Sequence, residues 1–297
     1  MNILITGSSG FLGSHSVNYF RALGHTVVGV DITPGLTTDI VEDIRTYLID
    51  ASDKYDLLLH YAAEVKGRAN IEKNYLNMIA NIDIDRVVFN WAMNHVRHII
   101  YPSSCAVYPT KFQNSPNTPL IENMIDFSSD TIGVSDHLYG WCKLTAERML
   151  WQIHQETDLC VHIIRPFSGY GPGQSRDYPM ANLVNMIKNN PNDLQVWGDG
   201  FQTRDWVHVD DIMRTIDWCT QDHVQYRTLN IGTGHATTFS DLIKQIYNVV
   251  YDQPCPLIKQ LPNTPSGVQH RLADTQLQQE LNILPKISLL DGIKTLL

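Results

Sequence analysis

The chain has 297 residues, 43% apolar and 18% charged, a balance of globular proteins rather than disordered ones. Its net charge of −9 disfavours a nucleic-acid partner, and an anionic nucleotide ligand would need local arginines. No run approaches the roughly 18 apolar residues of a membrane span and no basic stretch precedes the first strand as in a secretory signal; the five cysteines (105, 142, 160, 219, 255), odd in number and without metal-ligand spacing, fit a reduced cytoplasmic setting with no metal.

Residues 2–6 are a short apolar run, long enough for a buried strand and too short for a helix. Gly7, Gly10 and Gly13 follow at three-residue spacing, with Phe11 and Leu12 between the last two. Ser14 to Leu23 then reads as a helix closed by Gly24. A strand, a glycine turn and a helix form a phosphate site: the turn lets backbone approach a pyrophosphate, and the helix start offers unpaired N–H groups and partial positive charge. A second strand, Thr26 to Val30, ends in Asp31, a carboxylate placed for the two hydroxyls of an adenosine ribose. The usual fingerprint is Gly-x-Gly-x-x-Gly, whereas the spacing here is Gly-x-x-Gly-x-x-Gly. Context separates it from an ordinary glycine-rich turn.

Residues 32–40 read as a loop, Asp43-Ile44-Arg45 precedes a helix at 46–54, and 56–63 is an apolar strand running into the small residues Ala62 and Ala63. A helix is predicted over 70–96, with apolar positions Ile79, Ile82, Val87, Val88, Trp91 and Ala92. Asn81 within it is either solvated or braces backbone near the active site. The strand from His98 ends in Ser103 and Ser104, where ligands bind in parallel α/β sheets. After a Pro-rich loop at 110–136, Tyr139 opens a helix running to about Gln155, with Lys143 four residues on and on the same face. A strand at 159–164 leads into the Gly- and Pro-rich stretch 165–173, which marks a change of domain. Helix 181–189, strand 194–197, helix 210–220, strand 227–231, the turn Gly232–Gly234, an amphipathic helix from Phe239 to Val250 and a last helix near 274–282 complete the chain. This predicts an α/β fold: a doubly wound Rossmann-type parallel sheet in residues 1–168, with 207–232 returning to it, and a smaller α/β substrate-binding domain in 169–206 and 233–297.

A Tyr and a Lys on one helix face with a Ser at a nearby strand end make a proton-transfer set. A free tyrosine is a poor base at neutral pH, with a pKa near 10. An adjacent ammonium and a cationic nicotinamide both favour the phenolate. Ser104 can hydrogen-bond the oxygen that gains or loses the proton, a geometry that serves hydride transfer between a carbinol carbon and NAD. Tyr-x-x-x-Lys alone is commonly a pair of surface helix residues; its place after the glycine turn and the Ser-tipped strand favours the catalytic reading.

With these pieces in order, the chain resembles the extended short-chain dehydrogenase/reductase family, the nucleotide-sugar epimerases and dehydratases. The matching residues are Thr-Gly-Ser-Ser-Gly-Phe-Leu-Gly13, Asp31, Asp43-Ile44, His60-Tyr-Ala-Ala63, Ser103-Ser104, Tyr139 and Lys143, Arg165-Pro-Phe167, Gly198-Asp-Gly200, Arg204-Asp205, His208-Val-Asp-Asp211, Asn230-Ile-Gly-Thr-Gly234, Arg271 and Asp274. The resemblance implies that Tyr139 is the catalytic base, that Lys143 tunes its pKa and contacts a ribose, and that Ser104 is the hydroxyl partner. It implies Asp31 on the adenosine ribose, Asp43 and Ile44 on the adenine, and Ala62 and Ala63 lining the cofactor. Arg204 and Arg271 would bind the substrate diphosphate, the alternative for each being a surface ion pair. Asp31 with Ile32 beside it repels a 2′-phosphate, which favours NAD over NADP. A homodimer through the helices at 70–96 and 139–155 is a further implication, although their apolar positions suit a core equally.

Water elimination in the family's 4,6-dehydratases uses an acidic pair right after the catalytic hydroxyl, where Cys105 and Ala106 stand here. The 3,5-epimerases place a Cys two residues after the serine, one beyond Cys105, and use a downstream His or Lys that residues 166–187 lack. Cys105 is either an acid or a small core residue. C4 epimerisation through a transient 4-keto sugar is the favoured reading. Ser168, where epimerases often carry Asn, and the short 32–42 segment depart from the common pattern. A dehydratase using Cys105, a 4-ketoreductase and a non-catalytic nucleotide-binding protein are the alternatives.

Overall fold

Ile3, Leu4 and Ile5 have no solvent exposure, and the strand they form, β1 (Asn2–Thr6), lies inside a parallel sheet. The computed structural model describes residues 1–65, 79–129, 131–264 and 267–297. Among these, β1, β2 (Thr26–Asp31), β3 (Ile40–Val41), β4 (Tyr55–His60), β5 (Val96–Pro102), β6 (Cys160–Pro166) and β10 (Tyr226–Ile231) form a sheet in the order β10-β6-β5-β4-β1-β2-β3. Every pairing in it is parallel. The order runs outward from β1 in one direction and from β4 in the other, so the crevice that binds ligands in such sheets opens at the carboxyl ends of these two strands.

Alternate residues along the strands feed two cores. Leu4, Leu58, Ile99, Val161 and Ile163 pack against α2 (Ile44–Asp50), α3 (Ile79–His95) and α4 (His137–Glu156). Ile3, Ile5, Leu57, Leu59, Ile100 and Ile164 face α1 (Phe11–Ala22) and α6 (Val209–Gln221). The result is a helix–sheet–helix sandwich of the Rossmann type, with β10 and α6 built into it.

A third core joins α5 (Pro179–Asn189), α7 (Phe239–Tyr251) and α9 (Leu289–Lys294) around Ile187, Trp206, Ile243 and Ile293. It carries two small sheets, β11-β9-β7 (Ala236–Thr238, Thr203–His208, Ser168–Tyr170) and β12-β8 (Ile258–Leu261, Leu194–Trp197). The Asp205 carboxylate ties this region together, accepting from the backbone N–H groups of Thr233, Gly234 and Ala273 and from the Thr233 hydroxyl.

Several boundaries differ from expectation for local reasons. Helix α1 begins at Phe11 rather than Ser14, because Gly10 is already its extended N-cap. Asp43 caps α2 by accepting from the Arg45 N–H, so that helix starts at Ile44 and ends at Asp50, well before residue 54. The predicted tail helix is the short α8 (Gln276–Glu280), and α9 beyond it was not anticipated; Ser288 caps it by accepting from the Asp291 N–H. Of the helix predicted over 70–96, residues 70–78 lie outside the described residues. The buried side of α3 holds Asn81 and Asp85 beside Val88, Phe89, Trp91 and Ala92, while Ile79 is exposed.

Candidate active site

The glycine turn follows β1 at the crevice. Gly7 has φ +70°, and a Cβ there would lie 2.6 Å from the Ala62 nitrogen; a Cβ on Gly13 would lie 2.0 Å from the Gly7 carbonyl oxygen. These two glycines let the turn pack on its own neighbours. Gly10 is different: it is exposed, its backbone is extended, and a Cβ would have the Gly7 oxygen, at 3.2 Å, as its sole neighbour within 4 Å among the described residues. It borders open space at the start of α1, where no side chain caps the first N–H groups and no acidic residue occupies the first turn. Those donors and the helix dipole fit a dinucleotide pyrophosphate. Gly13→Ala is therefore expected to destabilise the fold by about 1–3 kcal/mol through overpacking, measured by urea denaturation. Gly10→Ala should melt near the wild-type temperature and, with a methyl added at the start of α1, is expected to lose at least about tenfold in NAD affinity by calorimetry.

Asp31 sits half-buried at the tip of β2, its carboxylate accepting from the N–H of Ser9 (2.9 Å) and of Thr33 (2.8 Å). That locks the turn to the strand end. Asp43 is bonded to the Arg45 guanidinium as well as to its N–H (Nη2 2.7 Å, Nε 3.0 Å), which holds its carboxyl below the ordinary range. Its neighbour Ile44 is buried in the core of α2.

Behind Ala62 runs a buried chain of hydrogen bonds. The Ala62 N–H donates to Thr6 Oγ1 (3.1 Å), which lies 2.6 Å from His60 Nδ1, and His60 Nε2 lies 3.1 Å from Asp85 Oδ1. From the other side the Tyr101 hydroxyl donates to Asp85 Oδ2 (3.1 Å), and Lys143 Nζ donates to the Tyr101 hydroxyl (3.1 Å) and to the Pro102 carbonyl (2.9 Å). Asp85 thus receives both ends of a relay that joins the cofactor-side backbone to Lys143. Asp85→Leu would leave His60 and Tyr101 buried without their acceptor, at about 1–3 kcal/mol each; a matching fall in urea-unfolding free energy is expected. Asn81 braces the next residues, its side chain exchanging hydrogen bonds with the N–H and carbonyl of Glu64.

Ser104 caps the turn Cys105–Val107 by accepting from the Ala106 N–H, and its hydroxyl is close enough to the Tyr139 phenol to favour the phenolate. The sequence predicts a phenol made acidic by Lys143. The geometry differs. Burial is the strongest influence on Tyr139 and lifts its pKa well above the ordinary value, with Tyr178 and Cys105 adding to the rise; Ser104 and the charge of Arg271 oppose it. Lys143 spends two of its three N–H donors on Tyr101 and Pro102, and burial lowers its own pKa.

Arg271 belongs to this group: its guanidinium donates to Gln113 Oε1 (2.8 Å) and to the buried Asp136, and it acts on both Cys105 and Tyr139. It is an interior residue, not a surface ion pair. Arg204 lies on β9, with its guanidinium donating to the carbonyls of Thr203 (2.7 Å) and Val268 (3.0 Å) over the Phe239 ring. Cys105 is buried among Val107, Tyr108, Leu120 and Phe167. Asp85, Tyr101 and Tyr178 escaped the sequence reading. A polar residue four positions beyond Asn81 on one helix face was the available signal for Asp85; the other two become visible only through tertiary contact.

The sequence profile of the NAD dependent epimerase/dehydratase family matches residues 3–232. The chain belongs to that family. Among its relatives, a UDP-N-acetyl-alpha-D-glucosaminuronate decarboxylase of Bacillus cytotoxicus is 27% identical over 322 residues, covering 98% of this chain and 95% of the relative. GDP-mannose 3,5-epimerase 1 of Oryza sativa subsp. indica is 24% identical over 313 residues, with 99% and 80% covered. The structure of MoeE5 in complex with UDP-glucuronic acid and NAD superposes with a TM-score of 0.84 at 25% identity, covering 100% of this chain and 97% of that one. Membership in the epimerase/dehydratase family makes this an enzyme family of nucleotide-sugar chemistry, and the turn after β1 fits the family's NAD. Among the described residues no helix is long and apolar enough to cross a membrane.

Proposed function

We propose that the chain is an NAD-dependent nucleotide-sugar 4-epimerase with Tyr139 as its base. The observation that carries this reading is the packing of the start of α4 on the turn that Ser104 caps: a Cβ on Gly140, next to Tyr139, would lie 2.3 Å from the Ala106 carbonyl oxygen, which accepts from the Asp136 N–H, and this sets Tyr139 beside Ser104 at the carboxyl end of β5 and one helical turn from Lys143. When bound, NAD supplies reversible hydride acceptance. The residues of the chain handle the proton: the Tyr139 oxygen takes it from the sugar hydroxyl and later returns it, while Ser104 orients that hydroxyl. No net redox change results. The third N–H of Lys143 would meet a cofactor ribose, and Asp31 the adenosine ribose, with Gly7, Gly10, Phe11, Leu12, Gly13, Asp43, Ile44, Ala62 and Ala63 completing the cofactor's surroundings. Arg204 and Arg271 lie on the side of the second region, where a substrate diphosphate would bring two negative charges.

Epimerisation is favoured over dehydration by the two residues that follow Ser104, Cys105 and Ala106, neither of which is a carboxylate. Elimination of water calls for an acid and a base at the positions of Cys105 and Ala106. Incubation with a panel of UDP-, GDP- and dTDP-sugars, followed by NMR of the products, tests the assignment. Inversion at C4 without NADH accumulation is the expected result. Loss of water would replace the reading with a dehydratase acting through Cys105, and dependence on added NADH would replace it with a ketoreductase.

A further inference from the structure

We propose that His98, Cys160 and His162 form a binding site for a divalent transition-metal ion of zinc's class, at the end of the sheet opposite the nucleotide crevice. The site is independent of the active-site assignment and shares no residue with it.

The three side chains project from neighbouring parallel strands. His98 of β5 is paired in register with Cys160 of β6, and His162 lies two residues on, so all three share one face of the sheet. Among the described residues they are a group whose ligand atoms all lie within 4.8 Å of one another. His98 Nε2 is 2.8 Å from His162 Nδ1, and Cys160 Sγ is 3.8 Å from the same nitrogen. Zinc–nitrogen and zinc–sulfur bonds of about 2.0–2.3 Å in a tetrahedron put ligand atoms roughly 3.3–3.8 Å apart. Small side-chain rotations therefore turn this cluster into three corners of a tetrahedron, leaving the fourth for water.

The surroundings supply what a metal-bound imidazole needs. His162 Nε2 lies 3.0 Å from Asp222 Oδ2, and Arg227 Nε donates to the same oxygen at 2.6 Å. A carboxylate on one ring nitrogen fixes the proton there and leaves Nδ1 as a lone pair facing His98 and Cys160. Burial works against the Asp222 charge, but Arg227 and His162 outweigh it and hold its pKa at about 2, so the carboxylate is ionised throughout the working range. Burial and the neighbouring His162 push the His98 imidazole down to about 3, and burial also lowers His162, so both rings are neutral ligands. Burial lifts the Cys160 thiol to about 11. Cys219, buried at the end of α6, is a further titratable group close to Cys160. Cys160 and His98 keep partial exposure, which gives an ion a way in.

Binding forms the metal–sulfur bond and releases the thiol proton to solvent. No electron moves. The histidine pair gives up its mutual hydrogen bond, and His98 moves its own proton to Nδ1. One proton lost per ion means apparent affinity should rise about tenfold per pH unit below the thiol's pKa.

The test uses the full chain, stripped with a chelator and titrated with Co(II), then with Zn(II) in competition. One equivalent of Co(II) is expected to give a thiolate-to-cobalt charge-transfer band with tetrahedral visible absorption, displaced by Zn(II), and strengthened as pH rises from 6 to 8. Cys160→Ser should abolish the charge-transfer band. His98→Gln should weaken Zn(II) binding by at least about tenfold, and Asp222→Asn by about 10–100-fold. Zn(II) should raise the melting temperature of the wild type and leave that of Cys160→Ser unchanged, while NAD affinity stays equal in all of them. Absence of the band at stoichiometric Co(II), binding that survives unweakened in both Cys160→Ser and His98→Gln, or uptake indifferent to pH would each overturn the proposal. Cys160 and His98 are only partly buried, so these two variants leave the core intact.

Discussion

Replacing Tyr139 with phenylalanine is expected to lower turnover by about 10²–10⁴-fold, the usual contribution of a positioned acid–base group, with NAD affinity and melting temperature close to wild type. The substitution deletes one oxygen from a ring that is half-buried beside Ser104. Packing is conserved and only the proton acceptor is gone. A pH profile separates this from a structural effect. Burial holds the Tyr139 pKa above its ordinary value, so the phenolate is the minor form at neutral pH. Its fraction, and with it kcat/KM, should climb up to about tenfold per pH unit as pH rises. Arg271 is the cation that favours the phenolate; Arg271→Met should move the rising limb to higher pH. A Tyr139→Phe enzyme with full turnover, or a wild-type profile flat from pH 6 to 9, would remove Tyr139 from the reaction.

Glu147→Ala is expected to cost about 3–5 kcal/mol, the loss typical of a buried ion pair deprived of one partner. Arg165 and Glu147 are both fully enclosed, joined through two parallel hydrogen bonds, Nε to Oε1 at 2.9 Å and Nη2 to Oε2 at 2.6 Å. The third side of the guanidinium donates to the Tyr108 hydroxyl (3.0 Å) and the Glu122 carbonyl (2.9 Å), and Tyr108 passes a hydrogen bond to Asn230 (2.6 Å). One charge pair therefore links α4, β6, β10 and the loop after β5. Removing the carboxylate strands a cation in a place that water cannot reach. Urea denaturation should show the fall in stability, and the double variant Glu147→Leu/Arg165→Met should recover much of it, because no charge is then left unpaired. A Glu147→Ala protein within 1 kcal/mol of wild type would show that Arg165 finds another partner.

Much of this architecture is legible from local pattern. Short apolar runs separated by glycine turns and amphipathic helices give strands and helices in order, and collinear motifs place Gly7, Asp31, Ser104, Tyr139 and Lys143 at strand ends and on one helix. What escapes is pairing between distant residues. Asp85 reads as one more helix acid until the fold encloses it between His60 and Tyr101. Arg271 is 132 positions from Tyr139, and no spacing rule joins them. His98 is far from the Cys-x-His of 160–162 in sequence, so a metal-ligand pattern cannot be read until two strands lie side by side. Small strands such as β7, β9 and β11 are missed for a similar reason: their hydrogen bonds are made across the chain, not within a local hydrophobic period.

The position of β10 at the rim of the large sheet bears on how the protein is made. During synthesis the first six strands of that sheet are complete by residue 166, some sixty residues before β10. Until then the ribosome-tethered chain shows β6 as a bare edge, a template for pairing with the wrong neighbour. Arg165 on that edge already has Glu147, but the Tyr108 hydroxyl must wait for Asn230. A released fragment ending near residue 170 should therefore be a sticky species captured by chaperones, and the full-length chain should not.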